Sequence, residues 1–476
     1  MTYSNTTPKC TYITIFVLLL GGFSSLLNET VLNIGFSLLM KTFGVTATTI
    51  QWLTVGYVLV VAIMVPITAI LIHTFTTKKL FVTAMSIFLA GTVCAALSQY
   101  FAALLFSRLL QAIGAGMAAP IALSASLALV PKEKHGFITS ICTCVLTLGP
   151  AVGPVFSGVI LEYFSWQMLF LFIIPVIVLC IILGLLFIEN TSDLTKPPID
   201  ILSILLSCIG FAGVVFGISI LDAYFLRGLL FVVSGSVVLF LWGKRQLNLE
   251  VPMLNINILR THGFVGSIIV LMLLQMMQFC IAIIVPMLYQ NSYNLSTLYS
   301  ALALLPCAFI LAVYTPFAGK IYDHSGGKIL IPSGMLIMAI SNFALSRVSS
   351  ETSFVTIILL CAILFWGLGN SFSTIQTFAF GLVPSKDTTD AVALANTAQQ
   401  IGGAMGTPIC MGLLTVFQSR YLEKAAKVTS NTESLSLFSG FSHTMLVLGV
   451  VFVIGFILAI ALTWRKNMQN SAEKTN

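Results

Sequence analysis

The chain has 476 residues, of which 58% are hydrophobic and 8% are charged, and its formal net charge is +7. Soluble globular proteins carry about 25% charged residues, so a soluble fold of this chain would lack the polar surface needed to cover it. The Lys and Arg residues are scattered singly or in pairs between apolar runs, which argues against nucleic-acid binding and favours positively charged loops on one side of a membrane.

Apolar segments that are long enough to cross a bilayer recur from one end of the sequence to the other. A membrane helix needs about 20 mainly apolar residues. Fourteen segments meet this requirement, and the sequence therefore predicts an all-α membrane protein. In chain order they lie near residues 12–39, 48–72, 79–98, 101–130, 136–162, 167–188, 199–219, 224–243, 263–290, 296–319, 328–346, 352–383, 390–418 and 442–464.

The basic residues predict how these segments are oriented. With the N-terminus in the cytoplasm, about fifteen Lys and Arg residues fall inside and about five fall outside. This asymmetry follows the positive-inside rule. It predicts a multi-pass protein of the cell (plasma) membrane with both termini in the cytoplasm. If the number of spans were wrong by one, the basic residues would no longer fall mainly on one side. The asymmetry therefore also supports an even number of spans.

Two polar loops at corresponding positions indicate an internal repeat. AILIHTFTTKK (69–79) follows the second span and AGKIYDHSGGK (318–328) follows the tenth. Duplicated halves are frequent in transporters, whose substrate site lies between the halves. We therefore predict six-helix halves at residues 1–190 and 251–476, with a linker and two additional spans at 191–250.

Four segments carry a family resemblance. They are QWLTVGY (51–57), RLLQAIGAG (108–116), GPAVGPVFSG (149–158) and ANTAQQIGGAMG (395–406). Together they resemble motifs of the major facilitator superfamily, and within it those of the fourteen-span drug:proton antiporters. The resemblance covers nearly the whole chain. It implies the major-facilitator fold with two extra helices between the halves. It also implies proton-coupled export of structurally varied lipophilic or cationic drugs by alternating access.

Two of the motifs suggest conformational roles. The glycines and prolines of 149–158 allow close helix approach and bend the helix, and the resemblance implies that this face closes the transport pathway. The resemblance also implies that the aspartate of 318–328 caps helices and latches the cytoplasmic side. The first-half loop has His73 at the corresponding position, which is either a pH-sensitive group or a solvated helix cap. The predicted conformational residues are Gly149, Pro150, Gly153, Pro154, Gly158, Gly319, Asp323 and Gly326.

Glu29 is the most informative single residue, because it lies near the middle of the first predicted span. A carboxylate at that depth costs about 2.5 kcal/mol or more, so it should face a cavity or a partner. We predict proton coupling, cation recognition or both; the alternative is a protonated side chain hydrogen-bonded between helices. The family usually has Asp one position earlier, where this chain has Asn28. Arg108 is the predicted countercharge of Glu29, and the family resemblance implies that it has a role in proton transfer. The alternative is an anchor that bonds to carbonyl groups.

The substrate-contacting residues can be proposed only from polarity and side-chain adaptability. Amide side chains within spans offer hydrogen bonds, and Met side chains adapt to varied apolar substrates. The tentative substrate-binding set is Glu29, Asn33, Gln51, Met276, Asn370, Asn396 and Gln399. Weaker candidates of the same kind are Met272, Gln275, Met277, Gln278, Phe279, Trp366, Gln376 and Gln400.

Other functional classes find no support in the sequence. There is no GxxxxGK[ST] segment for ATP hydrolysis and no catalytic or metal-ligand cluster, so we expect a non-enzyme without metal or cofactor, driven by the proton gradient. Nine of the ten cysteines lie in apolar segments and are interpreted as packing residues. The expected partners are small-molecule drugs, protons and the lipid bilayer, with no nucleic acid, and the expected state is a monomer. The alternative function is narrow-specificity transport of a single metabolite, lipid or antibiotic.

Overall fold

The computed structural model describes residues 8–32, 35–45, 47–50, 52–189, 200–220, 224–249, 252, 254–384, 387–424 and 430–473. Within these ranges the regular structure is helical and contains no strand. Fourteen helices are long and apolar enough to cross a membrane, which confirms the predicted number. They are α1 (Pro8–Thr30), α2 (Trp52–Thr74), α3 (Thr77–Ala96), α4 (Phe101–Ala128), α5 (His135–Tyr163), α6 (Met168–Phe187), α7 (Ile201–Ile220), α8 (Phe225–Asn248), α9 (Phe264–Ser292), α10 (Leu298–Ser325), α11 (Gly327–Leu345), α12 (Phe354–Phe380), α13 (Thr388–Lys424) and α14 (Ser430–Glu473).

The first crossing differs from the sequence prediction of one span at 12–39. Helix α1 ends at Thr30, and a separate short helix at Phe36–Phe43 ends at Gly44, which has a φ of 64°. Glu29 is therefore the penultimate residue of α1 rather than a mid-helix residue. The last four carbonyl groups of a helix have no partner within the helix, so a helix that ends inside the protein needs donors from elsewhere.

The helices pack as two groups of six. Helices α1–α6 contact one another mainly through the α3–α4, α2–α4 and α1–α5 pairs, and α9–α14 mainly through the α9–α13, α11–α12 and α11–α14 pairs. Between the groups, α5 packs against α10 and α12, while α2 and α4 pack against α13. The two groups therefore meet along two seams, the α5–α10 seam and the α2–α13 seam.

Helices α7 and α8 form a tight hairpin at the α2–α13 seam. A Cβ atom on Gly217 would lie 2.6 Å from the backbone nitrogen of Val232, so only glycine permits this approach. At one end, the Asp200 carboxylate accepts hydrogen bonds of 2.9 and 3.2 Å from the Arg245 guanidinium, which hold the pKa of Asp200 at about 2. Helix α7 packs against both α2 and α13, so the hairpin contacts one helix of each group.

Two cysteines depart from the interpretation as packing residues. Cys280 of α9 and Cys410 of α13 form a disulfide, with Cα atoms 5.9 Å apart. The helices are close enough because glycines of α13 face the α9 backbone: a Cβ atom on Gly406 would lie 2.6 Å from the carbonyl oxygen of Met276. The other cysteines whose side chains are described are free thiols.

Candidate transport site

A small cavity lies between the two groups of helices. One wall comes from α1, α2, α4 and α5 and is apolar except for Glu29 and Thr147. The other wall comes from α9 and α13. Its residues are Gln275, Gln278, Phe279, Asn396, Gln399 and Gln400.

Glu29 is one of the residues that line this cavity. The side chain is only 1% exposed, and its Oε1 has no hydrogen-bond partner among the described residues. Likewise, no ion pair in the described part of the chain joins Glu29 to Arg108. A buried carboxyl oxygen without a hydrogen-bond partner is available to a proton or a cationic ligand.

Arg108 is fully buried and bonds mainly to backbone carbonyl groups. Its Nη1 donates to the carbonyl oxygen of Asn28 (2.9 Å) and to Oε1 of Gln111 (3.0 Å), and its Nη2 donates to the carbonyl oxygen of Glu29 (3.4 Å). Its Nε donates to the carbonyl oxygen of Leu53 (3.3 Å). The carbonyl groups of residues 28 and 29 are among those that the end of α1 leaves unpaired. This geometry matches the carbonyl-anchor alternative for Arg108.

Aromatic and polar neighbours hold the Arg108 side chain in place. The guanidinium carbon lies 4.1 Å from the centroid of the Tyr57 ring, in a cation–π contact. The Tyr57 hydroxyl donates to the carbonyl oxygen of Ser25 (2.9 Å), and Gln111 donates to the Thr92 hydroxyl (3.0 Å). Helices α1, α2, α3 and α4 are thus joined around the end of α1.

The small residues of α5 bring this helix against α1 beside Glu29. A Cβ atom on Gly149 would lie 2.8 Å from the backbone nitrogen of Leu27, and one on Gly153 would lie 2.9 Å from its carbonyl oxygen. The carbonyl oxygen of Pro150 accepts a hydrogen bond from the Thr30 hydroxyl (3.1 Å). Any larger side chain at the two glycines would displace the carboxyl-bearing end of α1.

The same helix continues to the other half. Pro154 lies inside α5, one turn beyond Pro150, and both prolines lack the N–H that a regular helix would use. A Cβ atom on Gly158 would lie 2.9 Å from Cδ1 of Leu298 in α10. The predicted conformational residues of α5 therefore contact two helices at different positions along α5: α1 in the same half and α10 in the opposite half.

Asp323 caps a helix of the opposite half. Its two carboxylate oxygens accept hydrogen bonds of 2.9 Å each from the backbone N–H groups of Gly136 and Phe137, in the first turn of α5. A carboxylate there also interacts favourably with the helix dipole. A Cβ atom on Gly319 would lie 2.6 Å from the carbonyl oxygen of Gly136, and Gly326 has a φ of 70°. We call this end of the bundle the predicted cytoplasmic end.

A second contact at the predicted cytoplasmic end joins α2 to α13. His73 Nε2 lies 3.6 Å from Oδ1 of Asp390. The other oxygen of Asp390 accepts from the backbone N–H of Asn255 (3.2 Å), whose side chain donates to Asp387 (3.1 Å). The sequence pattern singled out His73 but not its partners, because nothing in the loop itself indicates a carboxylate at the start of α13.

The tentative substrate residues fall into three groups. Asn396 and Gln399 line the cavity with Glu29. Met276 does not line the cavity, because its backbone packs against α13. Asn33 and Gln51 lie outside the described residues.

Asn370 also lies away from the cavity. Its amide donates to the carbonyl oxygen of Leu330 (3.0 Å) and to the Ser333 hydroxyl (2.7 Å), both in α11. Its hydrogen bonds therefore join α12 to α11 within the second half. Four of the weaker candidates do line the cavity, and they are Gln275, Gln278, Phe279 and Gln400.

Comparisons with known proteins agree with this architecture. The sequence model of the Major Facilitator Superfamily matches residues 18–407. The chain is 35% identical over 444 residues to a lincomycin resistance protein of Listeria innocua, covering 93% of both proteins. It is 33% identical over 448 residues to the lincomycin resistance protein of Bacillus subtilis, covering 92% of this chain and 93% of that protein.

More distant similarities extend to transporters with other names. The chain is 23% identical to a riboflavin transporter of Clostridioides difficile, covering 95% of this chain and 97% of that protein. Among solved structures, the human organic anion transporter MFSD10 has a TM-score of 0.63 and 12% identity, covering 95% of this chain and 100% of that chain. The chain belongs to the major facilitator superfamily, and it is a multi-pass membrane transporter whose relatives include drug-resistance proteins.

Proposed function

We propose that this transporter exports drugs in exchange for protons by alternating access. The observation that carries the proposal is the Glu29 carboxyl group, which is buried, lines the cavity between the halves and has an oxygen without a partner in the described structure. A single carboxyl group in that position can bind either a proton or the positive charge of a drug, but not both. Because the proton and the drug compete for this carboxyl group, the entry of protons is coupled to the export of the drug.

The surrounding residues support such a cycle. Arg108 fixes the backbone at Glu29, and the glycines of α5 hold α1 in register with the helix that reaches the opposite half. Contacts at the predicted cytoplasmic end join α10 to α5 and α2 to α13. For the halves to rock and open that end, both contacts must break. In the proposed cycle, deprotonated Glu29 binds the drug from the inside, and protonation from the outside releases it. We further propose that the transporter is a monomer, that it lies in the plasma membrane and that both of its termini are in the cytoplasm.

The test is transport by purified Glu29→Gln protein in proteoliposomes with an imposed pH gradient. We expect the variant to lose pH-driven efflux of a cationic drug, because glutamine neither titrates nor carries charge. Glu162→Gln is the matched control, since Glu162 is an exposed carboxylate near the end of α5. Full proton-coupled efflux by Glu29→Gln would refute the proposal.

A second candidate is narrow-specificity export of lincomycin or a related antibiotic. It is favoured by relatives that are 33–35% identical over 92–93% of this chain and are named lincomycin resistance proteins. Resistance profiles of a deletion strain and an overexpressing strain against a compound panel distinguish the two. A shift for lincomycin alone supports the narrow range, and shifts for several unrelated cations support the broad one.

A further inference from the structure

The two walls of the transport cavity differ in chemistry. The wall from the first half offers one carboxyl group and one hydroxyl among apolar side chains. The wall from the second half has six residues, of which five carry a carboxamide and one is Phe279. A cavity that selected lipophilic cations by charge and apolar contact alone would not require this amide-rich wall.

The carboxamides project from two adjacent helices. Gln275, Gln278 and Phe279 lie three and four residues apart on α9, and Asn396, Gln399 and Gln400 repeat the same spacing on α13. Residues at this spacing share one face of a helix. Because α9 and α13 pack closely together, the two faces form one continuous surface opposite Glu29.

Three of these carboxamides have buried atoms without a hydrogen-bond partner in the described structure. They are Oε1 of Gln278, Nδ2 of Asn396 and Nε2 of Gln399. Gln278 is 5% exposed and Asn396 is 9% exposed, so both side chains are more than nine-tenths buried. The Nε2 of Gln278 donates to the carbonyl oxygen of Thr147 (3.3 Å), which leaves Oε1 as the atom available to a ligand. Buried polar atoms normally have partners, so these three need an explanation.

We propose that the transported molecules are polar amines that carry hydroxyl or carbonyl oxygens, and that Gln278, Asn396 and Gln399 determine this specificity. The inference rests on the proposed export function and names its substrate class. Glu29 binds the protonated amine. Gln278 accepts a hydrogen bond from a ligand N–H or O–H, and Asn396 and Gln399 donate to ligand oxygens. The substrate thus bridges the two halves: the first half binds its charged amine and the second half binds its oxygens.

A lipophilic cation without hydrogen-bonding atoms is the excluded class. It would neutralise Glu29 but leave the three carboxamides buried and unpaired. Sites built to hydrogen-bond a ligand discriminate strongly against analogues that lack the bonding groups, because their own polar groups then stay unsatisfied. The structure therefore narrows the substrate range expected from the family resemblance.

The experiment compares two probes on the full-length purified protein. Lincomycin has an amine, an amide and several hydroxyl groups, whereas tetraphenylphosphonium has a charge and no hydrogen-bonding atom. Binding is measured by competition, and transport by counterflow without a pH gradient. We expect wild-type protein to prefer lincomycin by at least tenfold. Each of Gln278→Leu, Asn396→Leu and Gln399→Leu should weaken lincomycin binding by about tenfold while leaving tetraphenylphosphonium unchanged or tighter.

A matched control is Asn342→Leu, which removes a fully buried carboxamide of α11 that bonds to its own helix and does not line the cavity. This variant should leave the preference between probes unchanged. Three outcomes overturn the inference: wild-type protein prefers tetraphenylphosphonium, it binds neither probe, or the cavity variants weaken both probes equally. Failure of the proposed function looks different, because carboxamide-dependent counterflow would persist while the pH gradient drove no efflux.

Discussion

Replacement of Arg108 separates the role of its charge from that of its hydrogen bonds. The guanidinium donates to the carbonyl oxygens of Asn28 and Glu29, which the end of α1 leaves without partners. Leaving a buried acceptor unsatisfied costs about 1–3 kcal/mol, so Arg108→Leu should destabilise the protein by about 2–6 kcal/mol through these two groups. Arg108→Lys retains the charge. Its single ammonium group cannot reproduce the planar fork of donors, and we expect it to recover about half of the loss.

The assays are thermal unfolding of the purified protein in detergent and proton-coupled efflux in proteoliposomes. We expect stability to fall in the order wild type, Arg108→Lys, Arg108→Leu. Both variants should lose most coupled efflux, because the backbone that carries the Glu29 carboxyl is no longer fixed. Arg227→Leu is the control, since Arg227 is exposed at the start of α8 and contacts the Tyr224 ring. Wild-type stability and efflux in Arg108→Lys would show that charge alone suffices and would refute the anchoring role.

Two further predictions concern the contacts made by α5. Gly149→Val places methyl groups where even a Cβ atom would lie 2.8 Å from the α1 backbone, so we expect a loss of more than tenfold in efflux and a lower unfolding temperature. Gly412→Val, at a glycine with no neighbour within 4 Å of its Cβ position, should have little effect, and equal losses in both variants would contradict the packing argument. Asp323→Asn has one acceptor oxygen for two N–H groups and should lose about 1 kcal/mol of capping. Hydrogen–deuterium exchange should become faster in the first turn of α5, and unchanged exchange there would count against the cap.

The sequence predicted the features that depend on local pattern. Fourteen apolar segments indicated the helices, and the family resemblance of the loop around Asp323 implied a helix-capping aspartate before any partner was known. The end of α1 at Thr30 was not predicted, because the following residues remain apolar enough to extend the span. The partner of His73 was also not predictable. Asp390 lies more than 300 residues away, and no repeat in the sequence aligns the two.

Amide side chains show why the cavity was harder to predict than the helices. Asn370 and Asn396 both lie within long apolar segments. The composition of these segments does not show which of the two side chains faces the cavity. The rotation of each helix decides between them: Asn370 bonds to α11, whereas Asn396 faces the space opposite Glu29. The rotation of a helix about its axis depends on packing between distant segments, such as α13 against α9. The hydropathy of the sequence carries no information about this packing.

The α7–α8 hairpin has a consequence for how molecules dissolved in the bilayer reach the cavity. A transporter built from two rocking halves can admit such molecules sideways, through a gap between the halves at either seam. Because α7 packs against both α2 and α13, it covers one of these lateral entrances. We expect any sideways entry from the lipid to occur at the α5–α10 seam, where Gly158 and Leu298 meet. The two flanks of the transporter are therefore unequal towards the surrounding lipid, because the additional helices cover the α2–α13 seam alone.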